Sequence, residues 1–342
     1  MERQDGKQRV TPERIMQFMW GYAPPLILEA AVRHRLFDVL DKGPRTVEQL
    51  HAETGASVRG LRAVLNTLVG LELLARDGQG RYALTPESAT YLVRGKPDYR
   101  GGLLMHTSSQ LLPKWMQLTE IVRTGKPAGS VNREGEGAAF FKKFVEDLFP
   151  FHHTTARMLA DVLKLTESKK PVRVLDLAAG SGVWGVGLAQ KSPQVRVTAV
   201  DWPGVIPVTR RVAERQGVAD RFQYIAGDLH EADFGNGHDI AIFGHILHSE
   251  GEARSRRLLQ KTFAALAPGG TTVVAEFLVN DERSGPPAGL IFAVNMLVNT
   301  DHGDAFSFEE IHRWLEEAGF REARTVECPG PSPLILAVKP GA

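Results

Sequence analysis

One short segment constrains the fold of this chain more than any other. Residues 174–182 read VLDLAAGSG, an apolar run that ends in small residues, and a segment of helical pattern follows to Leu188. A buried parallel strand that turns sharply into a helix has this pattern. Gly180 and Gly182 leave the backbone exposed, so a ligand can approach where a side chain would block it. The segment therefore predicts a strand–turn–helix unit with a ligand at the turn.

Two more predicted strands lead to an aspartate. Asp201 follows the strand predicted at 196–200, and Asp228 follows the one predicted at 222–226. A carboxylate at the tip of the second strand can accept hydrogen bonds from a ribose diol, each contributing roughly 1.5–3 kcal/mol. Asp228 can meet the amino edge of an adenine. A small-residue turn followed by two acid-tipped strands predicts a nucleoside-binding site.

The sequence favours S-adenosylmethionine over NAD as the bound nucleoside. The dinucleotide fingerprint is G-x-G-x-x-G with an acid about twenty residues further on, but Ala178 stands where its first glycine would be. That fingerprint has no role for a third-strand acid, and Asp176 before the turn also fits S-adenosylmethionine better. A buried strand–turn–helix with acids placed by chance is the alternative without a ligand. The predicted cofactor contacts are Gly180, Gly182, Asp201, Trp202, Gly227, Asp228, Leu229 and Gly244.

Composition narrows the class of protein. The 342 residues suggest two domains, and 43% apolar with 24% charged residues is ordinary for a globular protein. A net charge of +1 gives no global electrostatic case for nucleic acid or membrane partners, and no apolar run reaches membrane-spanning length. Residues 1–9 lack the apolar core of a signal peptide, and the single Cys328 excludes an internal disulfide and a multi-cysteine zinc site. We expect a cytoplasmic protein.

Three segments follow one another along the chain, with expected boundaries of 11–100, 101–165 and 166–342. The last alternates strands with helices, which favours an α/β fold with a mostly parallel sheet covered on both faces. Its predicted strands are 173–177, 196–200, 222–226, 239–243, 271–278 and 334–338. Its predicted helices are 183–190, 204–216, 252–266 and 308–318.

The first segment has the element order of a winged helix. Its predicted elements are a helix from Pro24-Pro25 to about Leu40, a helix capped by Thr46 with Gln49 in a capping box, a helix capped by Ser57, and a hairpin over 73–84. Winged helices often bind DNA, and Arg59 and Arg62 could touch phosphate, but acidic neighbours prevent a basic stripe. We favour a dimerisation module, because the N-terminal helices carry more apolar side chains than one small domain would bury. These are Ile15, Phe18, Met19, Trp20, Leu26, Ile27 and Leu28.

The middle segment is helical and rich in aromatic residues. We expect a loop between its helices that contains Gly125-Lys126-Pro127 and Gly135-Glu136-Gly137. The aromatic residues are Trp115, Phe140, Phe141, Phe144, Phe149 and Phe151. Most of these should belong to the core, and about a third should line a flat, apolar acceptor pocket. The predicted pocket contacts are Phe149, His152, Phe292 and Met296.

Together, these pieces resemble the plant caffeate and hydroxyindole O-methyltransferase family and its bacterial branch. The resemblance covers nearly the whole chain, and its most specific part is residues 246–252 (ILHSEGE), followed by Leu258-Leu259 and by residues 266–270 (LAPGG). It implies a Rossmann-like methyltransferase domain with a mostly parallel seven-stranded sheet after a winged-helix dimerisation domain. It also implies a homodimer and S-adenosylhomocysteine as the cofactor product. It also implies that His248 is the general base and that Glu276 orients it.

Three positions depart from the family pattern. Ser249 replaces the aspartate that usually follows the base, and Gly244-His245 replaces a lysine–tryptophan pair of the plant enzymes. Ala305 takes the place of the second orienting glutamate, with Asp304 as a candidate substitute.

The resulting hypothesis is transfer of a methyl group from S-adenosylmethionine to a hydroxyl of a small aromatic acceptor. A phenol has a pKa of about 10, so a histidine base would contribute roughly 10²–10⁴-fold at neutral pH. His245 and the pair His152-His153 lack carboxylate or cysteine partners at ligand spacing, so no metal is expected. Two alternatives remain open: the same fold and cofactor with C-, N- or S-methylation or a reaction without methyl transfer, and a cofactor-sensing DNA regulator.

Overall fold

Two units make up the described part of the chain, with the boundary between Leu111 and Leu112. The computed structural model describes residues 10–330 and 332–341. The polar segment 1–9, for which the sequence predicts no signal peptide, lies outside the described residues.

The first unit is helical with one small hairpin. Its elements are α1 (Glu13–Met19), α2 (Ala23–Arg33), α3 (Leu36–Leu40), α4 (Val47–Thr54), α5 (Val58–Gly70), β1 (Leu74–Arg76), β2 (Tyr82–Leu84), α6 (Pro86–Tyr91), α7 (Gly101–Leu104) and a π-helical turn (Thr107–Leu111).

Local sequence signals fix the elements of this unit where they were predicted. The Thr46 side chain accepts from the Gln49 backbone while the Gln49 side chain accepts from the Thr46 backbone, which is the predicted capping box of α4. The Ser57 side chain caps α5 by accepting from the Gly60 N–H, and β1 pairs antiparallel with β2. The helix, helix and hairpin order of the sequence prediction is confirmed.

The helix predicted from Pro24 to Leu40 is wrong in one respect, because it is broken. Arg35 has φ +57°, a left-handed conformation that ends α2 and starts α3. Ile27 and Leu28, expected among the uncovered apolar residues, are half-buried and pack against the core of this unit. Phe18, Met19 and Trp20 are each about two-thirds exposed, so the apolar surface is concentrated on α1.

The second unit is an α/β domain. Its helices are α8 (Leu112–Trp115), α9 (Leu118–Thr124), α10 (Glu134–Val162), α11 (Val183–Lys191), α12 (Ile206–Arg215), α13 (Leu247–Ala265), α14 (Pro287–Asn299) and α15 (Phe308–Ala318). Its strands are β3 (Val172–Leu177), β4 (Val195–Asp201), β5 (Phe222–Ala226), β6 (His238–Gly244), β7 (Leu266–Ala275), β8 (Arg321–Val326) and β9 (Leu334–Val338).

The strands form one seven-stranded sheet in the order β5-β4-β3-β6-β7-β9-β8. The first five are mutually parallel, and β9 runs antiparallel to both of its neighbours. This confirms the predicted mostly parallel sheet. Because β3, β4, β5, β6 and β7 point the same way, the residues that follow them meet at one edge of the sheet.

Alternating side chains on the strands build a core on each face. Val174 belongs to the core under α10, α11 and α12, whereas its neighbour Leu175 belongs to the core under α13 and α15. Both side chains are fully buried. Burial on both faces is why these strands are continuously apolar in sequence.

Some predicted boundaries differ from the structure. Helix α10 begins at Glu134, so residues 135–137 lie in the helix and not in the expected loop. The predicted strand 271–278 is observed as Leu266–Ala275. It starts earlier because the Pro-Gly-Gly segment lies inside β7, as an irregularity at which the register shifts. Helix α14 and edge strand β8 were not predicted. No helix in the described ranges combines the length and apolarity that crossing a membrane requires.

Candidate active site

The turn between β3 and α11 is the predicted strand–turn–helix unit. Ala178, Gly180 and Gly182 all have positive φ, at +52°, +56° and +73°. A Cβ on Gly182 would lie 2.9 Å from Cγ2 of Thr209, so glycine is needed there for space as well as conformation. The turn therefore curls tightly, and its glycines make room for close packing of neighbouring side chains.

Asp201, the last residue of β4, holds this turn in place. One carboxylate oxygen accepts from the Gly180 N–H at 2.8 Å, and the other accepts from the Trp202 N–H at 2.7 Å. Burial raises the pKa of Asp201 to about 6, although both N–H groups favour the charged form. Each oxygen keeps a second lone pair, so the oriented carboxylate can still accept from a diol.

Asp176 is the most deeply buried acid of the site. Its Oδ2 accepts from the Gly185 N–H at 2.9 Å, while its Oδ1 is buried with no hydrogen-bond partner among the described residues. Burial raises the pKa of Asp176 to about 7, and the nearby Asp201 carboxylate adds to that rise.

Asp228 and Trp202 lie together beyond the ends of β5 and β4. The Trp202 Nε1 is 3.5 Å from Asp228 Oδ2, and the Gly227 N–H donates to the Asp201 carbonyl oxygen at 2.9 Å. Leu229 is buried against the core on the α13 side. The structure thus brings the predicted ribose and adenine acids to the same edge of the sheet.

The residues at this edge fit S-adenosylmethionine. An adenosyl group offers a ribose diol and an exocyclic amine as donors, and the edge supplies two carboxylates as acceptors. The tight turn at Ala178, Gly180 and Gly182 brings backbone groups of the turn next to these carboxylates, as the bond from the Gly180 N–H to Asp201 shows. Donor and acceptor sets are therefore complementary.

Gly244 is the last residue of β6, and a neighbouring tryptophan ring leaves no space for a side chain at this position. A Cβ there would lie 2.2 Å from Nε1 of Trp184, a residue of α11. The next residue, His245, adopts φ +61°, which is unusual for a residue with a side chain. The chain therefore makes a strained bend between β6 and the start of α13, and strain of this kind is often found at functional sites.

His248 and Glu276 form a hydrogen-bonded side-chain pair in the candidate catalytic centre. Glu276 Oε2 lies 2.7 Å from His248 Nδ1, and Oε1 accepts from the His248 backbone N–H at 3.2 Å. Glu276 is 2% exposed. A buried carboxylate at Nδ1 selects the tautomer with the proton on Nδ1, so Nε2 is the nitrogen available to accept a proton.

Asp304 does not take the place of a second orienting carboxylate. Its side chain lies 3.3 Å from Arg283 and accepts from the Ala305 N–H, whereas only its backbone N–H reaches His248, at the carbonyl oxygen. Ala305 is fully buried, and its carbonyl oxygen accepts from Arg283. The described residues thus give the His248 ring one carboxylate partner, Glu276.

Aromatic rings surround His248 on the α14 side. Phe292 stands edge-on to the His248 ring with centroids 4.8 Å apart, and Phe277 lies 4.2 Å from Phe292. Met296, one turn further along α14, is 5% exposed. Two of the predicted pocket residues thus lie on the helix that packs beside the candidate base.

The two predicted pocket residues on α10 are placed differently. Phe149 is buried in the core and stacks on His153, at 4.8 Å. His152 lies 4.2 Å from the His245 ring, which is itself 6.5 Å from His248. Burial, with smaller contributions from His152 and His248, holds the pKa of His245 well below its usual value. Within 10–330 and 332–341, no group of three or more His, Cys, Asp or Glu residues is arranged to hold a metal ion.

Asn295 is a candidate site residue that the sequence analysis missed. Its side-chain oxygen accepts from Trp115 Nε1 and from Asn299 Nδ2, each at 3.1 Å, which leaves its amide nitrogen as the donor end. Phe292, Asn295, Met296 and Asn299 lie on one face of α14 by their spacing. Because α14 was not predicted from the sequence, no sequence signal placed Asn295 on that face.

Comparisons with known proteins identify the family of this chain. Residues 115–321 match the O-methyltransferase domain family, and residues 16–94 match the O-methyltransferase dimerisation domain. The chain is 33% identical over 319 residues to the 3-hydroxy-5-methyl-1-naphthoate 3-O-methyltransferase of Streptomyces sahachiroi, covering 91% of each sequence.

Solved structures share the whole fold. An O-methyltransferase candidate from Nostoc punctiforme superposes with a TM-score of 0.88 at 29% identity, covering 97% of this chain and 100% of that one. The human N-acetylserotonin methyltransferase, solved with S-adenosylmethionine, has a TM-score of 0.82 at 23% identity and shares the fold, with 98% and 100% covered. The chain belongs to the S-adenosylmethionine-dependent O-methyltransferase family, with an N-terminal dimerisation domain and a C-terminal catalytic domain.

Proposed function

We propose that this enzyme methylates a hydroxyl group on a small aromatic acceptor, with His248 as the general base. The observation that carries the proposal is the bond between His248 Nδ1 and the buried Glu276 carboxylate at 2.7 Å. An imidazole held in this tautomer presents Nε2 for the acceptor proton. A phenol would be mostly protonated at neutral pH, so removal of its proton as the new bond forms lowers the barrier.

The residues at the carboxyl ends of the parallel strands have the following proposed roles in binding the cofactor. S-adenosylmethionine, when bound, supplies an electrophilic methyl group. Asp201 accepts from the ribose hydroxyls, Asp228 accepts from the adenine amine, and Trp202 and Leu229 flank the base. Gly180, Gly182, Gly227 and Gly244 are proposed to contact the cofactor through their backbone atoms.

The acceptor is proposed to lie between aromatic rings near His248. Phe292 and Met296 contribute apolar surface from α14, and Asn295 offers an amide donor for a second polar group of the acceptor. We also propose His152 as a contact on the α10 side, with Phe149 supporting that helix from the core. A flat, apolar acceptor with one hydroxyl near His248 fits this set of residues.

The domain assignment of the proposal is a dimerisation module over 11–100, a helical pocket-forming segment over 101–165 and a methyltransferase domain over 166–342. We propose a cytoplasmic homodimer that acts on a small molecule and binds neither nucleic acid nor membranes. The dimerisation-domain match and the exposed apolar side chains of α1 support the homodimer.

The test is a transfer assay with methyl-labelled S-adenosylmethionine and a panel of hydroxyaromatic acceptors. The panel includes 3-hydroxy-5-methyl-1-naphthoate, other hydroxynaphthoates and hydroxyindoles. We expect at least one acceptor to gain a single methyl group, located on oxygen by NMR. A product methylated on carbon or nitrogen, or binding of S-adenosylhomocysteine with no transfer to any member, would contradict the proposal.

A further inference from the structure

A loop after β5 is fastened to α13 by side chains of that helix. The loop is residues 228–234, and it begins with Asp228. Lys261 Nζ donates to the carbonyl oxygens of Leu229 and His230, at 2.7 and 3.0 Å. His230 Nε2 lies 2.8 Å from Oε2 of Glu250, so the imidazole donates to the carboxylate. The position of the 228–234 loop is therefore set by α13.

The first turn of α13 is separated from the rest of that helix. Gly251 has φ +72° and ψ 168°, which are not helical values, so residues 247–250 form a distinct turn. A Cβ on Gly251 would lie 2.4 Å from the carbonyl oxygen of His302, so the break is built into the packing. His248 lies in this turn. Because of the break at Gly251, the orientation of the turn is not fixed by the regular helix that follows.

Two carboxylates hold the separated turn in place. Glu276 binds His248 directly, as described above. Glu250, at the last position of the turn, is 5% exposed and accepts from His230 and from Arg254 Nε, the latter at 2.5 Å. A buried carboxylate is stable only when it is well paired, so these bonds are strongly favoured.

The Glu250–His230 bond thus joins two parts of the proposed site. His230 lies two residues after Asp228, and its backbone N–H donates to Asp228 Oδ1 at 2.8 Å. Glu250 lies two residues after His248. Asp228 is therefore connected to the turn that contains His248 through the His230–Glu250 hydrogen bond and the short chain segments on either side of it.

We propose that Glu250 and His230 are positioning residues that couple the cofactor's adenine site to the orientation of His248. This inference rests on the proposed roles of Asp228 and His248. When the 228–234 loop is fixed by a bound adenosyl group, the bond to Glu250 holds the His248 turn in its working orientation. Because one bond holds both the 228–234 loop and the His248 turn, its loss weakens cofactor binding and also slows transfer.

The experiment is a double-mutant cycle with two separate readouts. The variants are Glu250→Ala, His230→Ala and the pair, with His230→Gln as a conservative variant that keeps a donor. Calorimetry measures the Kd of S-adenosylhomocysteine and needs no acceptor. Label transfer at saturating S-adenosylmethionine measures kcat on an acceptor from the panel above. Glu252→Ala, on the same helix with a side chain 54% exposed, is the matched control.

We expect each alanine variant to raise the Kd of S-adenosylhomocysteine and lower kcat by roughly tenfold, because a hydrogen bond to a charged group is lost. The double variant should be no worse than either single variant, and His230→Gln should recover most of both losses. Two outcomes overturn the coupling. One is wild-type Kd and kcat in the alanine variants with only a lower melting temperature, and the other is additive losses in the double variant.

A His248→Gln arm separates this inference from the proposed function. That variant leaves the Glu250–His230 bond intact, so it should lower kcat without changing the Kd of S-adenosylhomocysteine. If kcat in His248→Gln equals that of the wild type, the base role is wrong, whereas the cycle measured by calorimetry still reports on the link to the adenine site.

Discussion

Single carboxylates decide the chemistry of this site because each lies in a different environment. Glu276 is buried against a histidine, Asp201 is buried against backbone N–H groups, and Asp228 is half-buried. A buried acid that keeps its charge needs compensating donors, and Asp201 has two. Burial raises the pKa of Asp201 and the two N–H donors lower it, and the result, about 6, lies in a pH range in which binding can be measured.

The affinity for S-adenosylhomocysteine should fall as the pH drops through about 6, because burial raises the pKa of Asp201 to about 6. A protonated carboxyl is a poorer acceptor for the ribose hydroxyls than the charged form. Calorimetry should show roughly tenfold weaker binding at pH 5 than at pH 8, the loss expected one unit below the pKa.

Asp201→Asn is the control for this titration. It should bind weakly at every pH and show a flatter profile, since the titrating acceptor is gone. Wild-type affinity that stays constant between pH 8 and pH 5 would contradict the assignment.

Within the site, the sequence predicted the residues whose positions follow from the strand ends. Asp201 and Asp228 each follow a predicted parallel strand, and such strand ends meet at one edge. His248 was predicted from the resemblance of residues 246–252 to the family motif. The His230–Glu250 bond was not predictable in this way, because it depends on how a loop and a helix pack. The side chain of Asp304 is another case, since only the structure shows Arg283 beside it.

At the scale of elements, the bend between β6 and α13 depends on a fit between a strand end and a helix. Gly244 leaves room for the Trp184 indole, and that ring lies beside His152 and His245. Trp184 is 3% exposed, so it has no open space to move into. A larger residue at 244 would therefore disturb the core of α11 and the approach to His248 together.

Gly244→Ala should destabilise the protein by about 1–3 kcal/mol, the usual cost of overpacking a core. It should also lower transfer activity, and both effects can be measured by chemical denaturation and the transfer assay. Gly135→Ala is the matched control, because a Cβ there meets no atom within 4 Å and the residue lies in the first turn of α10. If Gly244→Ala unfolds like the wild type, the close packing against Trp184 does not constrain this position.

The buried central strands were predicted from the sequence, whereas β8 and α14 were not. The central strands are apolar on both faces, and that signal needs no partner to be recognised. Edge strand β8 reads REARTV and is largely exposed, so it lacks any apolar pattern. Helix α14 is apolar on nearly all sides, and an all-apolar run does not show a helical period.

On the scale of the whole molecule, α1 and the residue after it expose large apolar side chains that folding of one chain does not bury. Ile15, Phe18, Met19 and Trp20 are 67–71% exposed, and large apolar patches of this kind mark interaction surfaces. The match of residues 16–94 to a dimerisation domain gives this surface its proposed partner, a second copy of the chain.

Replacing Phe18 and Trp20 together with serine should therefore shift the protein towards monomer. Sedimentation velocity at micromolar concentration measures the shift, and the far-ultraviolet spectrum should show retained secondary structure. Met116→Ser is the control, since Met116 is an exposed apolar residue in the other unit, at 84%. An unchanged dimer in the double variant, or a monomeric wild type, would refute this use of the surface.

The most direct test of the account is the turnover of His248→Gln on the acceptor identified in the panel. The glutamine cannot take up the acceptor proton, so kcat should fall by about 10²–10⁴-fold while the Kd of S-adenosylhomocysteine stays at the wild-type value. His312→Gln, on α15, should leave both values unchanged. Transfer by His248→Gln at the wild-type rate would show that His248 is not the base, and that alignment of the two substrates suffices for the reaction.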